Sequence, residues 1–550
     1  MKRKLKDDFS QTINDTVYEW FIAQRTKNIP ISVSVLQEYA RKVAEELGDK
    51  IIFRNKMTEE KSDEWKRLNI SKGKCSFSQE RIWIDEQIRE SLIKNSEDLY
   101  NYNRVIVYQI EDGFLSIKRF RQSINILLDK HEIFRTSLDY DADQHCLQQT
   151  INHTSNDLYS YELTYVDIND IEKVNNIIYN EQISKYFDLN KGKIFRCHLL
   201  KENAQDKNHL VKNDYILLIY HHSAIDQYSI YLFLKELTES YRNGKLNKDD
   251  KYQLRYIDYS QYERQFNLTN CEEFWQDLFS DYNFNSRLKI PYDHTLNNIS
   301  TGSYYSFNID KSLIRQIFRY KNKININLFR IFLTTFYIYL FKLTQQTDLS
   351  ITGYTPNRFR DELNHIIGPL ENIIIYRFEL DPHQSFNQLI KQIDKLCSNI
   401  KENAFYPYQQ LVAYARKFSS LQYPFSQVSV RLNIEDDQWN LDPNNNLFLK
   451  QIYLTNHQLF PRDNKLTPID LTLNIIANLE KQTLSFYFDY SNKLFEQETI
   501  QTLALRYEKL LKHLFDVSSN FDLDDEPIYK LAIILPHEER LMHNININND

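Results

Sequence analysis

The chain has 550 residues, 42% hydrophobic and 26% charged, an ordinary balance for a folded protein of roughly two to four domains. A net charge of -7 argues against a chain-wide nucleic-acid footprint, and no run of about 18 apolar residues is present to span a membrane. Five single cysteines (Cys75, Cys146, Cys197, Cys271 and Cys397) form no CxxC pair, so neither a metal site nor a redox pair is expected.

Apolar residues at helical spacing predict helices over 15–25 and 35–47, the second ending at Gly48. Residues 1–56 therefore read as a small helical segment and 57–74, polar and charged, as a linker. From Cys75 the pattern turns to mixed α/β. Helices are predicted over 78–88 and 115–131, strands over 105–110 and 214–220, and a helix over 230–242. A second series follows, with helices over 329–343, 386–403 and 496–515 and strands over 349–354, 373–380, 426–433 and 484–490. Two α/β lobes of similar size, 75–265 and 266–515, are the simplest reading, with 516–550 as a tail. The charged start at residues 1–8 lacks an apolar core, and with the odd cysteine count a reducing, cytoplasmic setting is expected.

The apolar run at 216–219 feeds into His221-His222-Ser223-Ala224-Ile225-Asp226. Imidazole is the side chain best suited to hold or accept a proton near neutrality, and a carboxylate four residues on can fix a tautomer or lock the loop through an arginine. By itself this pattern is common on surfaces and in cores.

Its surroundings resemble the condensation domains of nonribosomal peptide synthetases, whose motif is HHxxxDG. The stretch at 75–83, with Ser78-Gln79-Glu80-Arg81-Ile82-Trp83, is similar to the opening motif of that family, and the stretch at 130–136 to its Arg-His-Glu-x-Leu-Arg-Thr motif. Phe187-Asp188-Leu189, Tyr256-Ile257-Asp258-Tyr259 and Phe274-Trp275 follow in order. The run from Ile351 to Arg358, then Ile367-Gly368-Pro369-Leu370-Glu371-Asn372 to Arg377, and Tyr406-Pro407-Tyr408 continue the likeness, which is collinear over roughly 76–507.

The resemblance implies two chloramphenicol-acetyltransferase-like lobes forming a V-shaped pseudo-dimer, with the histidine loop at their junction. It implies amide formation between a donor thioester and the amine of an acceptor, both carried on phosphopantetheine arms of carrier proteins, with an adenylation domain as a further partner in trans. No cofactor is expected to bind the chain directly. His222 is the expected catalytic residue, with His221 beside it and Asp226 as a brace paired to Arg135 or, as rival, Arg81. Trp275, Asn372 and Arg377 match family positions near the tunnel or lobe junction. Gln227 stands where the family has glycine, and that puts acceptor access in question; Ser229 is expected to cap the following helix at the same entrance. An acyl-CoA-dependent transferase, or a non-catalytic fold kept for carrier docking, are the alternatives.

At the ends, residues 17–47 resemble part of a helix-turn-helix of the centromere-protein-B or Tc5-transposase type. Residues 1–56 hold 11 Lys/Arg against 8 Asp/Glu, a thin excess for gripping phosphates, so a fused remnant is preferred to DNA as a partner. Residues 527–540 resemble the linker that joins a condensation domain to an adenylation domain.

Overall fold

In the computed structural model the described residues are 65–92, 102–202, 204–246, 254–294, 301–419, 421, 424–425, 427–434, 438–452, 465–466 and 469–540. The chain divides into two compact units, Met1–Lys66 and Arg67–Asp550, and the second carries the large sheets and their helices. The helices expected over 15–25 and 35–47 lie outside the described residues.

The strand Tyr215–His221 is buried at every position, so it reads as an unbroken apolar run rather than an alternation. It pairs antiparallel with Asn103–Asp112 on one side and Phe195–Lys201 on the other, and Tyr159–Tyr165 runs parallel beyond the latter. Helix Ile171–Ile183 packs on Asn103–Asp112 and Tyr215–His221, and helix Ile117–Lys130 packs against Gln227–Asn243. Ile117–Lys130 buries Phe120, Ile124, Leu127 and Leu128 on one face, and the Ser116 hydroxyl caps it by accepting from the Arg119 amide at 3.4 Å.

The second lobe is built on a seven-stranded sheet whose middle strands are Asp348–Thr355, Val428–Ile434, Leu471–Asn478 and Thr483–Ser491. Its core helix, Leu328–Thr344, is apolar on nearly all sides because both of its faces are covered. Among the described residues no single helix is long and apolar enough to cross a membrane.

Three expected segment limits are revised. Lys72–Lys74, expected in a linker, is a short strand paired with Cys146–Ile151, which gives its backbone groups partners. Gln438–Asp442 and Leu447–Ile452, expected within the second lobe, cross over and extend the first lobe's sheet along Asn103–Asp112. The Trp439 ring packs 4.9 Å from that of Tyr108, and its Nε1 donates to Thr238 Oγ1 at 2.7 Å. Finally, the tail expected from 516 onward packs on the second lobe through Ile528 and Leu531, both fully buried.

Candidate active site

The histidine strand ends at His221, but the ladder runs one residue further: the His222 amide donates to the Tyr102 carbonyl at 2.9 Å. A tight turn follows, closed by Ala224 N–H to His221 O at 3.0 Å. Asp226 then stands at the N-cap of helix Gln227–Asn243, its Oδ1 accepting from the Ser229 amide at 2.8 Å. The cap is therefore Asp226, and the expectation for Ser229 is corrected. Ser229 is fully buried, and its hydroxyl donates to the Gly368 carbonyl at 2.9 Å while accepting from the Gly368 amide at 3.0 Å. It ties the loop to the second lobe and borders neither of the two cavities beside the loop.

The two histidines differ in what their nitrogens do. His221 Nδ1 accepts from the Ser223 amide at 3.2 Å, which leaves Nε2–H to donate to Glu86 at 2.8 Å. Both of its nitrogens are spent and the ring is buried, so His221 holds the strand end. His222 Nδ1 lies 2.7 Å from the Ile225 carbonyl, which can only accept, so the proton sits on Nδ1 and the Nε2 lone pair is left for chemistry. Burial foremost, then the Arg104 charge, pushes the His222 pKa down to about 3. The ring is thus a neutral hydrogen-bond acceptor at physiological pH. It borders a cavity of about 230 Å³, together with Arg104, Tyr220, Gln227, Glu371 and Arg431. A larger cavity of about 1030 Å³ adjoins it, lined by Asn103–Tyr108, the first turns of the Gln227 helix and the crossover hairpin.

Asp226 is braced, but not by the residue expected. Arg358 Nη2 reaches Oδ1 at 3.1 Å, with the two side chains 2% and 1% exposed, and the Leu370 and Glu371 amides donate to Oδ2 at 2.9 and 3.2 Å. The Arg358 guanidinium also donates to Ser229 Oγ at 2.9 Å and lies over the Tyr228 ring at 4.3 Å. Arg135 instead donates to the Leu128 and Asp129 carbonyls at 3.1 Å, closing the end of helix Ile117–Lys130, and meets Glu132 at 3.4 Å. Arg81 donates to the Glu371 carbonyl at 3.2 Å. Arg358 ends the family-like run from Ile351, but nothing in linear order says which of several arginines meets a given aspartate. Gly368 admits no side chain: a Cβ there would lie 1.9 Å from the Tyr256 ring, whose hydroxyl donates to the Pro369 carbonyl at 2.9 Å.

Trp275, Asn372 and Arg377 are pieces of scaffold that border neither cavity. Trp275 is in the second core and donates to the Asn403 carbonyl at 3.1 Å. Asn372 donates to the carbonyls of Ala404 and Tyr406 at 2.8 and 2.7 Å, pinning that loop to the sheet. Arg377 clamps Asp348 with two bonds of 2.9 Å and reaches Asp281 at 2.5 Å. Gln227 does border both cavities and is exposed. It is the first helical residue and has no positive φ, so the backbone there does not require glycine. All five cysteines are free, and burial pushes the Cys197 and Cys397 thiols up to about 12, which suits packing rather than nucleophilic attack. Glu162, Glu181 and His198 lie close enough together to ligate a metal, but Arg196 already pairs with both glutamates, and His198 Nδ1 bonds Glu181 at 2.6 Å.

A condensation-domain family model matches residues 72–534, and a model of the Tc5 transposase DNA-binding domain matches residues 10–55. Bacitracin synthase 1 of Bacillus licheniformis is 24% identical over 472 residues, which is 82% of this chain but only 8% of that protein. The condensation domain from Monacolin K polyketide synthase MokA superposes with a TM-score of 0.66 at 15% identity, covering 82% of this chain and 98% of that one. The starter condensation domain of rhizomide synthetase RzmA, solved with C8-CoA, gives 0.65 at 15% identity, covering 84% and 98%. The structural likeness establishes the condensation-domain fold, and the family match, which takes in the whole histidine loop and both lobes, establishes that this chain belongs to the condensation-domain family.

Proposed function

We propose that the chain forms an amide bond between a donor thioester and the amine of an acceptor, each presented on the phosphopantetheine arm of a carrier protein. The observation that carries this reading is the His222 ring, with Nδ1–H fixed on the Ile225 carbonyl and Nε2 left bare beside a cavity. An imidazole with a pKa near 3 is a poor store for a proton but a good fixed acceptor. It orients the N–H of a neutral amine, so that the amine lone pair meets the thioester carbonyl carbon. The C–N bond forms, the C–S bond breaks, and the amine proton leaves on the carrier thiol. Asp226 acts through the loop it braces and is a positioning residue. His221 positions the strand end in the same way.

Gln227 lies open at the border of the two cavities and is read as a selectivity residue on the acceptor path rather than as a plug. The donor is the part of this reading that an experiment resolves first, because a structural neighbour was solved in complex with C8-CoA. With one acceptor amine and a common acyl group, donors on a carrier protein and on coenzyme A should be compared in single turnovers. Amide from the carrier-bound donor at a rate at least tenfold above the coenzyme A donor is expected. An equal or faster rate from coenzyme A would replace the carrier reading by an acyl-CoA-dependent transferase.

A further inference from the structure

One helix stands behind the whole histidine loop. Helix Phe77–Leu92 begins at a reciprocal cap: Ser76 Oγ accepts from the Gln79 amide at 3.0 Å, and Gln79 Oε1 accepts from the Ser76 amide at 3.2 Å. From that start Ser78, Arg81, Asp85 and Glu86 fall at i, i+3, i+7 and i+8, so they share one face. Each meets a group that holds part of the loop. Ser78 Oγ and Arg81 Nη2 donate to the Glu371 carbonyl at 2.7 and 3.2 Å, and the Glu371 amide in turn donates to Asp226. Asp85 accepts from the Tyr102 hydroxyl at 2.8 Å, and the Tyr102 carbonyl holds the His222 amide. Glu86 reaches a histidine ring directly, at His221 Nε2, 2.8 Å away.

That last contact decides a tautomer. His221 Nδ1 lies 3.2 Å from the Ser223 amide, which can only donate, and 2.8 Å from the Ser223 hydroxyl, which can donate or accept. The Nδ1 side therefore has a partner for either tautomer. Nε2 faces the Glu86 carboxylate, which can only accept, so the proton is drawn to Nε2 and Nδ1 is left as an acceptor. In the other tautomer Nδ1–H would point at the Ser223 N–H, donor against donor, inside the turn closed by the Ala224 amide on the His221 carbonyl. His221 and Ser223 are both buried, so bulk solvent does not make good a bond lost there. The same turn carries Ile225, whose carbonyl fixes Nδ1–H of His222.

We propose that Glu86 is a positioning residue for the reaction; this rests on the reading of His222 as the group that orients the acceptor amine. By holding His221 as the Nε2–H tautomer, Glu86 keeps the turn closed. The closed turn keeps the Ile225 carbonyl on His222 Nδ1, and that leaves His222 Nε2 bare. Glu86 borders neither cavity, so it acts through His221 and not on substrate.

The test joins nitrogen NMR of isotope-labelled histidine to turnover, both on the full chain. Near neutral pH, wild type should show His221 with its proton on Nε2 and His222 with its proton on Nδ1. Glu86→Leu, similar in size but with no acceptor, should turn both signatures into tautomer mixtures. It should also slow single-turnover amide formation by roughly 10–100-fold at saturating loaded carriers, with the half-saturating carrier concentration moved by less than roughly twofold. Glu86→Gln keeps an oxygen acceptor and should restore both signatures and a rate within roughly threefold of wild type. An Nδ1–H or doubly protonated His221 in wild type would overturn the proposal without recourse to any variant. So would wild-type signatures and rate in a folded Glu86→Leu protein, or a Glu86→Gln protein as impaired as Glu86→Leu. Amide formation by wild type with unmoved ring signatures in Glu86→Leu sinks this inference alone. A wild type that forms no amide sinks the proposed function, and the ring signatures still show whether Glu86 sets the two histidines.

Discussion

Neighbouring histidines in this chain have opposite chemical prospects, decided by which atoms their nitrogens meet. His221 is held at both nitrogens, whereas His222 is held at one. Since burial and Arg104 hold the His222 pKa near 3, its ring stays neutral at every pH well above that value. The rate of amide formation should then climb with pH only as the acceptor amine loses its proton, near about 8, with no break near 6.5. A break near 6.5 assigned to His222 by NMR titration would contradict this. The aspartate of the loop makes a second prediction. Removing Arg358 strands the buried Asp226 charge, so Arg358→Ala should cost roughly 3–5 kcal/mol in urea unfolding. Asp226→Ala and Arg358→Ala should be strongly non-additive, while Asp226→Ala and Arg135→Ala should simply add. The strand-to-helix loop that carries His222 and Asp226 was legible from spacing and neighbouring motifs. The partner of Asp226 was not, because it lies 132 residues away on another lobe, while motif position favoured Arg135 with Arg81 as its rival.

At the scale of elements, the apolar runs and helical periods set most of the scaffold around the site. The buried strand Tyr215–His221 and the helices Phe386–Glu402 and Gln497–Phe515 stand close to where their patterns put them. The crossover hairpin was not legible. Its strands are short, and a pairing partner more than 300 residues earlier leaves no local trace in sequence. Trp439 is what fastens it, by ring contact with Tyr108 and its bond to Thr238. Trp439→Ala should therefore cost about 2–3 kcal/mol, less than a fully buried tryptophan because this one is half-buried. Hydrogen exchange should quicken first along Leu447–Ile452. Uniform protection in that strand after the substitution would show that the backbone ladder alone holds the hairpin.

For the whole molecule, the site is a joint product of two lobes. The first supplies His222 and Arg104 on one sheet, the second supplies Arg358, Arg431 and the loop at Gly368, and the ion pair at Asp226 fastens the junction between them. The pattern of elements gave two α/β lobes, and the family resemblance added the expectation that the histidine loop lies at their junction. What could not be read was how the lobes share residues, since that depends on the docking of two surfaces. The central claim is that His222 orients the acceptor amine through Nε2. Its most direct test is a single-turnover measurement of amide formed from loaded donor and acceptor carriers, with wild type and a folded His222→Ala variant. A loss of roughly 100-fold or more in the variant is the predicted result; equal rates from the two proteins would contradict it.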